Sequence, residues 1–377
     1  MNEKWTLLFY LVIEGTSLWF AYLARESQRK YSQKIEKGLS TNAAVYLSIS
    51  WLILFTTTAM RNYVGTDYGT YVDSFSRICS GTLSDGEIAW LKQSPLFYLI
   101  CILCAKFGGS YQLMFACVAF VTLYFIYAAI IKSSSDWVIS IYLYLCLCLY
   151  FQSFNQIRQM AAVAIILYAL TWLQKDNVKK FVLWTMIATG FHMSAVVLLL
   201  ILPIRKWKIS LRNVVMYVLA GIMIYFAFPV LLGLFSNIGY IRIYRESSYA
   251  AAAGKTTILN LMIRIAMCGC CFLVLRKNSV IASSNLSLFN SAVLCTLFQV
   301  CAVRFSIFGR VTTYFFVAYI LLIPEVLQVF QRKFVRGNRK VVRVAFILVC
   351  FVYQMAYYFS SAGASGSGYG IYKLLGL

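Results

Sequence analysis

Charge is what this sequence has least of. Asp, Glu, Lys and Arg make up 12% of its 377 residues, against about a quarter in a soluble domain whose surface must be solvated. Acidic residues number 12, His occurs once and Pro four times. Paired outward carboxylates in a ligand-like cluster are missing, so no metal and no cofactor is indicated; Asp67 and Asp73 alone do not make a cation site. No hydrophilic stretch is long enough to fold by itself, which excludes a separate soluble domain. The net charge of +22 is spread in short clusters without an RNA-recognition or helix-turn-helix pattern, which excludes nucleic acid as the partner.

What is present is apolar: 61% of the residues, in long runs bounded by short basic clusters. The solvent of such a chain is the lipid bilayer. We read residues 1–377 as a single all-α, polytopic membrane domain. Eleven of the twelve cysteines sit inside apolar runs, where Cys acts as a small hydrophobe. Cys101-x-x-Cys104 has metal-like spacing but neither a second pair nor a His nearby. The first apolar run, Trp5 to Ala24, exceeds a signal-peptide core and reads as a retained span.

Hydropathy predicts about twelve spans, near 5–24, 43–60, 110–131, 137–153, 159–174, 178–190, 193–204, 212–235, 258–275, 286–303, 311–330 and 342–359. Basic clusters at Arg25–Lys37, Lys132, Lys175–Lys180, Arg205–Arg212, Arg276/Lys277 and Arg332–Arg343 belong on one, cytoplasmic, side. They share it only if residues 94–107 lie along the interface and residues 178–204 cross twice, turning near His192. Of the 34 Lys and Arg, 21 then lie inside, 12 outside, and Arg264 within a span. Both termini fall outside, with external loops at 61–109, carrying the interfacial helix, and 236–257. Short helices meeting at His192 also thin the protein there, as a water-accessible cavity requires.

Four polar strings fall on the outer side. The first is Arg61-Asn-Tyr-Val-Gly65-Thr66-Asp67-Tyr68, continuing to Tyr71: a turn whose Arg61 is placed to grip a phosphate, or a snorkelling anchor beside an ordinary turn. The second, Asn155-Gln156-Ile157-Arg158-Gln159, puts four polar residues between two spans, either as an anchor or lining a cavity. The third, Gly190-Phe191-His192-Met193-Ser194-Ala195, holds the lone His, a proton acceptor if neutral or else a satisfied structural residue. The fourth runs from Arg304 through Ser306, Gly309 and Arg310 to Tyr314-Phe315, two arginines that suit an anion or a simple interface anchor. Gly254-Lys255-Thr256 fails as a P-loop because Tyr249 stands where Gly belongs. The Gly366–Gly370 segment reads as a flexible connector, and Arg264 as the partner of an unidentified carboxylate.

In this order the strings resemble the EpsG-type family of bacterial polysaccharide polymerases, relatives of the Wzy-type O-antigen and capsule polymerases. The matching features are Arg61 with Val-Gly-Thr-Asp-Tyr, Gly108-Gly109-Ser-Tyr-Gln, Asn155-x-x-Arg158-Gln159 with Ala161, Phe191-His192-x-Ser194-Ala195, and Arg310 with Tyr314-Phe315 and Pro324. Ser94-Pro95-Leu96-Phe97 departs from the Glu-containing string expected before the interfacial helix. The resemblance implies a bacterial inner-membrane glycosyltransferase of GT-C-like character, joining undecaprenyl-pyrophosphate-linked oligosaccharides at the outer face, with a chain-length regulator as candidate protein partner. Arg158 and Arg310, assisted by Arg61 and Arg304, would stabilise the leaving pyrophosphate. His192, or failing it Asp67, would take the proton of the attacking hydroxyl. Asn155 and Gln159 would bind substrate, and Tyr68, Tyr71 and Tyr314 would pack on sugar faces. A membrane sugar O-acyltransferase and a lipid-linked oligosaccharide flippase are the alternatives.

Overall fold

A computed structural model describes residues 3–32, 38–234, 255–305, 308–360, 364 and 366–374. The expected loop 236–257, with Arg242 and Arg245, lies almost wholly outside the described residues, as does Ser306.

Helices account for 80% of the described chain, and no strand occurs among the described residues. The apolar runs have no polar partner for their backbone other than their own i→i−4 carbonyls, so they coil. In the first half the order is α1 (Glu3–Ser32), α2 (Thr41–Ala59), α3 (Tyr68–Ser80), α4 (Asp85–Lys92), α5 (Pro95–Lys106), α6 (Tyr111–Ser133), α7 (Trp137–Cys146), α8 (Leu149–Gln152), α9 (Ile157–Leu173) and α10 (Val178–Phe191). A 3₁₀ segment (Met193–Ile201) leads to α11 (Leu211–Leu234), α12 (Lys255–Leu275), α13 (Ser279–Ser284), α14 (Leu286–Arg304), α15 (Phe308–Phe316), α16 (Tyr319–Gln331) and α17 (Arg336–Tyr358). Starts carry recognisable caps. Ser40 accepts from the Ala43 amide, Asp136 from those of Val138 and Ile139, and Ser84 with Glu87 forms a reciprocal box.

Six of these helices are long and apolar enough to cross a bilayer, or eight if the bent pairs α4–α5 and α15–α16 each count as one span. Length and composition among the described residues do not confirm the count of about twelve from hydropathy. Two reasons are visible. Helix α7 has ten residues, roughly 15 Å at 1.5 Å per residue, half the thickness of the hydrocarbon core. It and α9 are also buried on nearly every side, so their apolar character reflects protein packing as well as lipid. Helices α4 and α5 meet at 116°, where Gln93 and Ser94 interrupt the run and Pro95 opens the next helix.

Polar side chains join neighbouring helices in the membrane manner. The Ser17 and Ser50 hydroxyls lie 2.9 Å apart and the Ser50 hydroxyl lies 2.8 Å from that of Tyr127, tying α1, α2 and α6 together.

The bundle has two distinct ends. At one, Asp136 before α7 holds Arg25 of α1 at 3.1 Å and Arg343 of α17 at 2.8 Å. At the same end Lys132 lies 3.0 Å and Lys180 4.1 Å from the Trp172 ring centroid. Asp176, just before α10, meets Lys206 at 2.5 Å, just beyond the 3₁₀ segment. The chain between 178 and 204 therefore leaves one end, turns at His192 and returns. Basic clusters far apart in sequence thus share one end, and the four polar strings gather at the other.

Candidate active site

Irregular backbone makes the site possible. A non-helical stretch at membrane depth is tolerated only where it is buried in protein or lines a cavity. Here α8 is followed by a tight turn at residues 153–156, α10 gives way to the 3₁₀ segment at His192, and α15 breaks from α16 with a bend of 49°. Cys148, between α7 and α8, adopts φ +58° and lines the cavity described below. A β-carbon in the left-handed region marks a strained, over-determined backbone.

Asn155 ties its own turn to two further segments, the turn before α3 and the C-terminal segment. Its Oδ1 accepts from the Thr66 hydroxyl at 3.2 Å and the Asp67 amide at 3.3 Å, while its Nδ2 donates to the Ser367 carbonyl at 2.6 Å. The approach requires glycine at 65. Its φ is +107°, and a Cβ there would lie 2.7 Å from both Asn155 Oδ1 and the Phe154 carbonyl oxygen.

The C-terminal segment is not a loose connector. Gly65 N–H donates to the Gly368 carbonyl at 2.9 Å, Asn62 N–H donates to that of Lys373 at 2.9 Å, and Arg61 forms an isolated antiparallel bridge with Leu374. The Tyr10 hydroxyl donates to the Tyr369 carbonyl at 3.0 Å, and the Tyr372 hydroxyl to that of Thr57 at 2.8 Å. Tyr369 and Tyr372 are both buried. The Gly and Ser residues favour a flexible connector, but burial of Tyr369 and Tyr372 outweighs the ordering cost of the glycines.

The predicted arginines occupy different settings. Arg61 is 1% exposed and held in the fold, donating to the Thr58 carbonyl at 2.6 Å and the Phe154 carbonyl at 3.3 Å. The rings of Phe115, Phe154 and Tyr68 surround its guanidinium, with centroids 4.8, 5.2 and 5.7 Å away. Arg158, one residue into α9, is half-buried. It donates to Ser94 Oγ at 3.2 Å and lies 3.7 Å from the Trp90 ring centroid. The bend between α4 and α5 thus supplies Arg158 with a hydroxyl and an indole. Arg304 lies exposed over Tyr225 of α11, 3.9 Å from the ring centroid. The Arg310 carbonyl accepts from Gln159 Nε2 at 2.6 Å, while the residue itself borders the cavity.

Tyr68 and Tyr71 are buried. Tyr68 stacks on Phe115 at 4.3 Å and donates to the Arg61 carbonyl, and Tyr71 lies edge-on to Phe97. Tyr314 is buried too, its hydroxyl 2.9 Å from His192 Nδ1 and 3.1 Å from Ser194 Oγ. His192 Nδ1 and Ser194 Oγ are 2.7 Å apart. His192 belongs to neither neighbouring helix. Burial, then the Arg158 and Arg310 guanidiniums, push its pKa from 6.5 down to about 4, so the imidazole is neutral at pH 7. In the tautomer that carries its proton on Nδ1, Nδ1–H donates to one of these hydroxyls and Nε2 is the proton acceptor. Asp67 is half-buried in the turn before α3.

A polar cavity of about 240 Å³ opens beside Arg310 rather than at His192. Its walls include Gln152, Asn155, Gln156, Gln299, Ser367 and Tyr369, with Asn260 and Arg264 from α12. Asp and Glu are absent from its lining among the described residues. Arg264 is the site residue that sequence reasoning missed. The signal was present, a lone Arg within a span, but a carboxylate partner was sought for it. Among the described residues none lies within ion-pair distance.

The sequence pattern of the EpsG family matches residues 44–374. The chain belongs to the EpsG family. EpsG is a Wzy-like polysaccharide polymerase family, so the protein is a polysaccharide polymerase-like membrane protein. The match extends through the C-terminal segment that the structure seats against Gly65 and Asn155. No match was found among curated proteins or among solved structures.

Proposed function

We propose that the protein polymerises undecaprenyl-pyrophosphate-linked oligosaccharide repeat units at the outer face of the bacterial inner membrane, as a glycosyltransferase of GT-C-like character. On this reading the broken and short helices complete about a dozen crossings, with residues 94–107 at the outer interface. The observation that carries the reading is the juxtaposition of a neutral His192 with Arg158 and Arg310, beside a polar cavity, at the end opposite the basic clusters.

Polymerisation forms a bond between an acceptor hydroxyl oxygen and the anomeric carbon of the donor, and breaks the bond from that carbon to a diphosphate oxygen. His192 Nε2 takes the hydroxyl proton, while Tyr314 and Ser194 hold the ring through Nδ1. The electron pair leaves on the lipid diphosphate, and Arg158 and Arg310 stabilise its growing charge in a site largely shielded from water. Asp67 is the second candidate for the proton. Asn155 and Gln159 order the surrounding backbone and border the substrate path. Arg61 serves as a positioning residue, fixing the turn that carries Thr66 and Asp67. Arg304, at the outer end of α14, offers a further contact to an anionic lipid head, and a chain-length regulator is the protein partner proposed.

The test is purified protein supplied with lipid-linked repeat units and read as a product ladder on a gel. Wild type is expected to build the ladder, and His192→Ala to lose at least about 100-fold in rate. Units that stay single with wild type, or acquire acyl groups without growing, would overturn the proposal.

A further inference from the structure

Arg264 sits near the middle of α12, 8% exposed, and the fold makes little use of it. Its Nη2 lies 3.4 Å from the Thr312 hydroxyl, its guanidinium carbon lies 4.4 Å from the Phe316 ring centroid, and the Cys295 thiol is beside it. Its buried Nε has no partner, a feature shared with Arg61 and Arg158, so the contrast lies in what surrounds the rest of the guanidinium. Arg61 shows what a structural arginine looks like in this protein, with two carbonyls and three rings around it. A buried cation without a counter-charge is costly in a span. One that borders a polar cavity has a reason to be kept.

The cavity supplies that reason. Asn260 and Arg264 stand four residues apart, on one face of α12, and both line it, as does Arg310 from α15. Its volume of about 240 Å³ corresponds to roughly eight waters in the liquid. Two guanidiniums, side-chain amides on several sides and no carboxylate among the described lining residues suit a small, multiply charged, acceptor-rich anion.

We infer that this cavity is a diphosphate site, in which Arg264 is the deep anion-binding residue and Arg310 links it to the reacting centre. That the diphosphate is the lipid-linked leaving group rests on the polymerase reading above. Free pyrophosphate has the same head chemistry.

The experiment measures thermal stabilisation of the purified full-length protein by inorganic pyrophosphate, farnesyl diphosphate and farnesol. It compares wild type with Arg264→Gln, Arg264→Lys and the opposite-end control Arg343→Gln. Wild type and Arg343→Gln should be stabilised by both diphosphates and not by farnesol. Arg264→Gln should weaken diphosphate binding at least ten-fold, and Arg264→Lys should retain part of it. Without ligand, Arg264→Gln should melt at or above the wild-type temperature, because the change removes an unpaired buried charge; a purely structural arginine would lower it. Binding unchanged in Arg264→Gln, or no stabilisation of wild type, overturns the inference. Tighter binding of farnesyl diphosphate than of pyrophosphate supports the lipid-linked source, and equal affinity overturns that source. Polymer assays separate the two readings. A normal ladder from Arg264→Gln defeats the Arg264 site while polymerisation stands. Arg264-dependent diphosphate binding without any wild-type ladder defeats polymerisation while the site stands.

Discussion

Asp136 holds two arginines at the basic end, Arg25 at 3.1 Å and Arg343 at 2.8 Å, and Asp176 holds Lys206 at 2.5 Å. At the other end Arg61, Arg158, Arg264 and Arg304 have no carboxylate within ion-pair distance among the described residues. They rest on aromatic rings, carbonyls and hydroxyls. Cations paired with acids are neutralised and serve as anchors. Cations lying over ring faces keep their full charge while being held in place, which is the condition for gripping an incoming anion. The same residue type thus does two jobs, and partner and exposure together decide which: Arg61, ring-held but 1% exposed, stays structural.

Three tests probe that contrast, in decreasing order of effect. Arg61→Ala strands the Thr58 and Phe154 carbonyls and opens a void among Tyr68, Phe115 and Phe154. The loss should be about 3 kcal/mol, seen as a lower melting temperature, with Arg61→Lys intermediate because it lacks the fork. An unchanged melting temperature would show that Arg61 is not structural. Next is pH. With His192 held down at about 4, wild-type activity should stay level on the acid side until the imidazole protonates near that value. Arg158→Gln withdraws a repelling positive charge, so protonation becomes easier and the acid limb of its residual activity should move up in pH. A limb that stays put would mean the two groups are not coupled. At the basic end Asp136→Asn should cost only about 1–2 kcal/mol and the exposed Asp176→Asn should leave the melting temperature nearly unchanged, both with normal ladders. Lost polymerisation in either variant would erase the division of labour.

Much of this division was legible in the sequence. Clusters of Lys and Arg report their side through the cost of moving charge across lipid, so the segregated ends and the return of residues 178–204 at His192 could be read from spacing. The four polar strings were legible for the same reason, since polar residues between apolar runs must be paired or wetted. Span lengths were not. Hydropathy cannot tell a helix facing lipid from one enclosed by protein, and α7 and α9 are the enclosed kind. The role of Arg61 was hidden because its partners are backbone carbonyls, which carry no sequence signature. The Gly366–Gly370 segment misled because composition measures freedom in the unfolded chain, whereas its docking depends on where Tyr10, Thr57 and Gly65 lie. Arg264 was visible as an oddity, but its meaning required the cavity.

The central claim, that the arginines at one end carry the chemistry while those at the other anchor the fold, is tested most directly by one paired rate. Chain elongation from lipid-linked repeat units is compared for wild type, Arg158→Gln and Arg343→Gln, all purified and matched for folded fraction. The account predicts near-normal elongation for Arg343→Gln and at least about a 100-fold loss for Arg158→Gln. Equal rates for the two variants would contradict it.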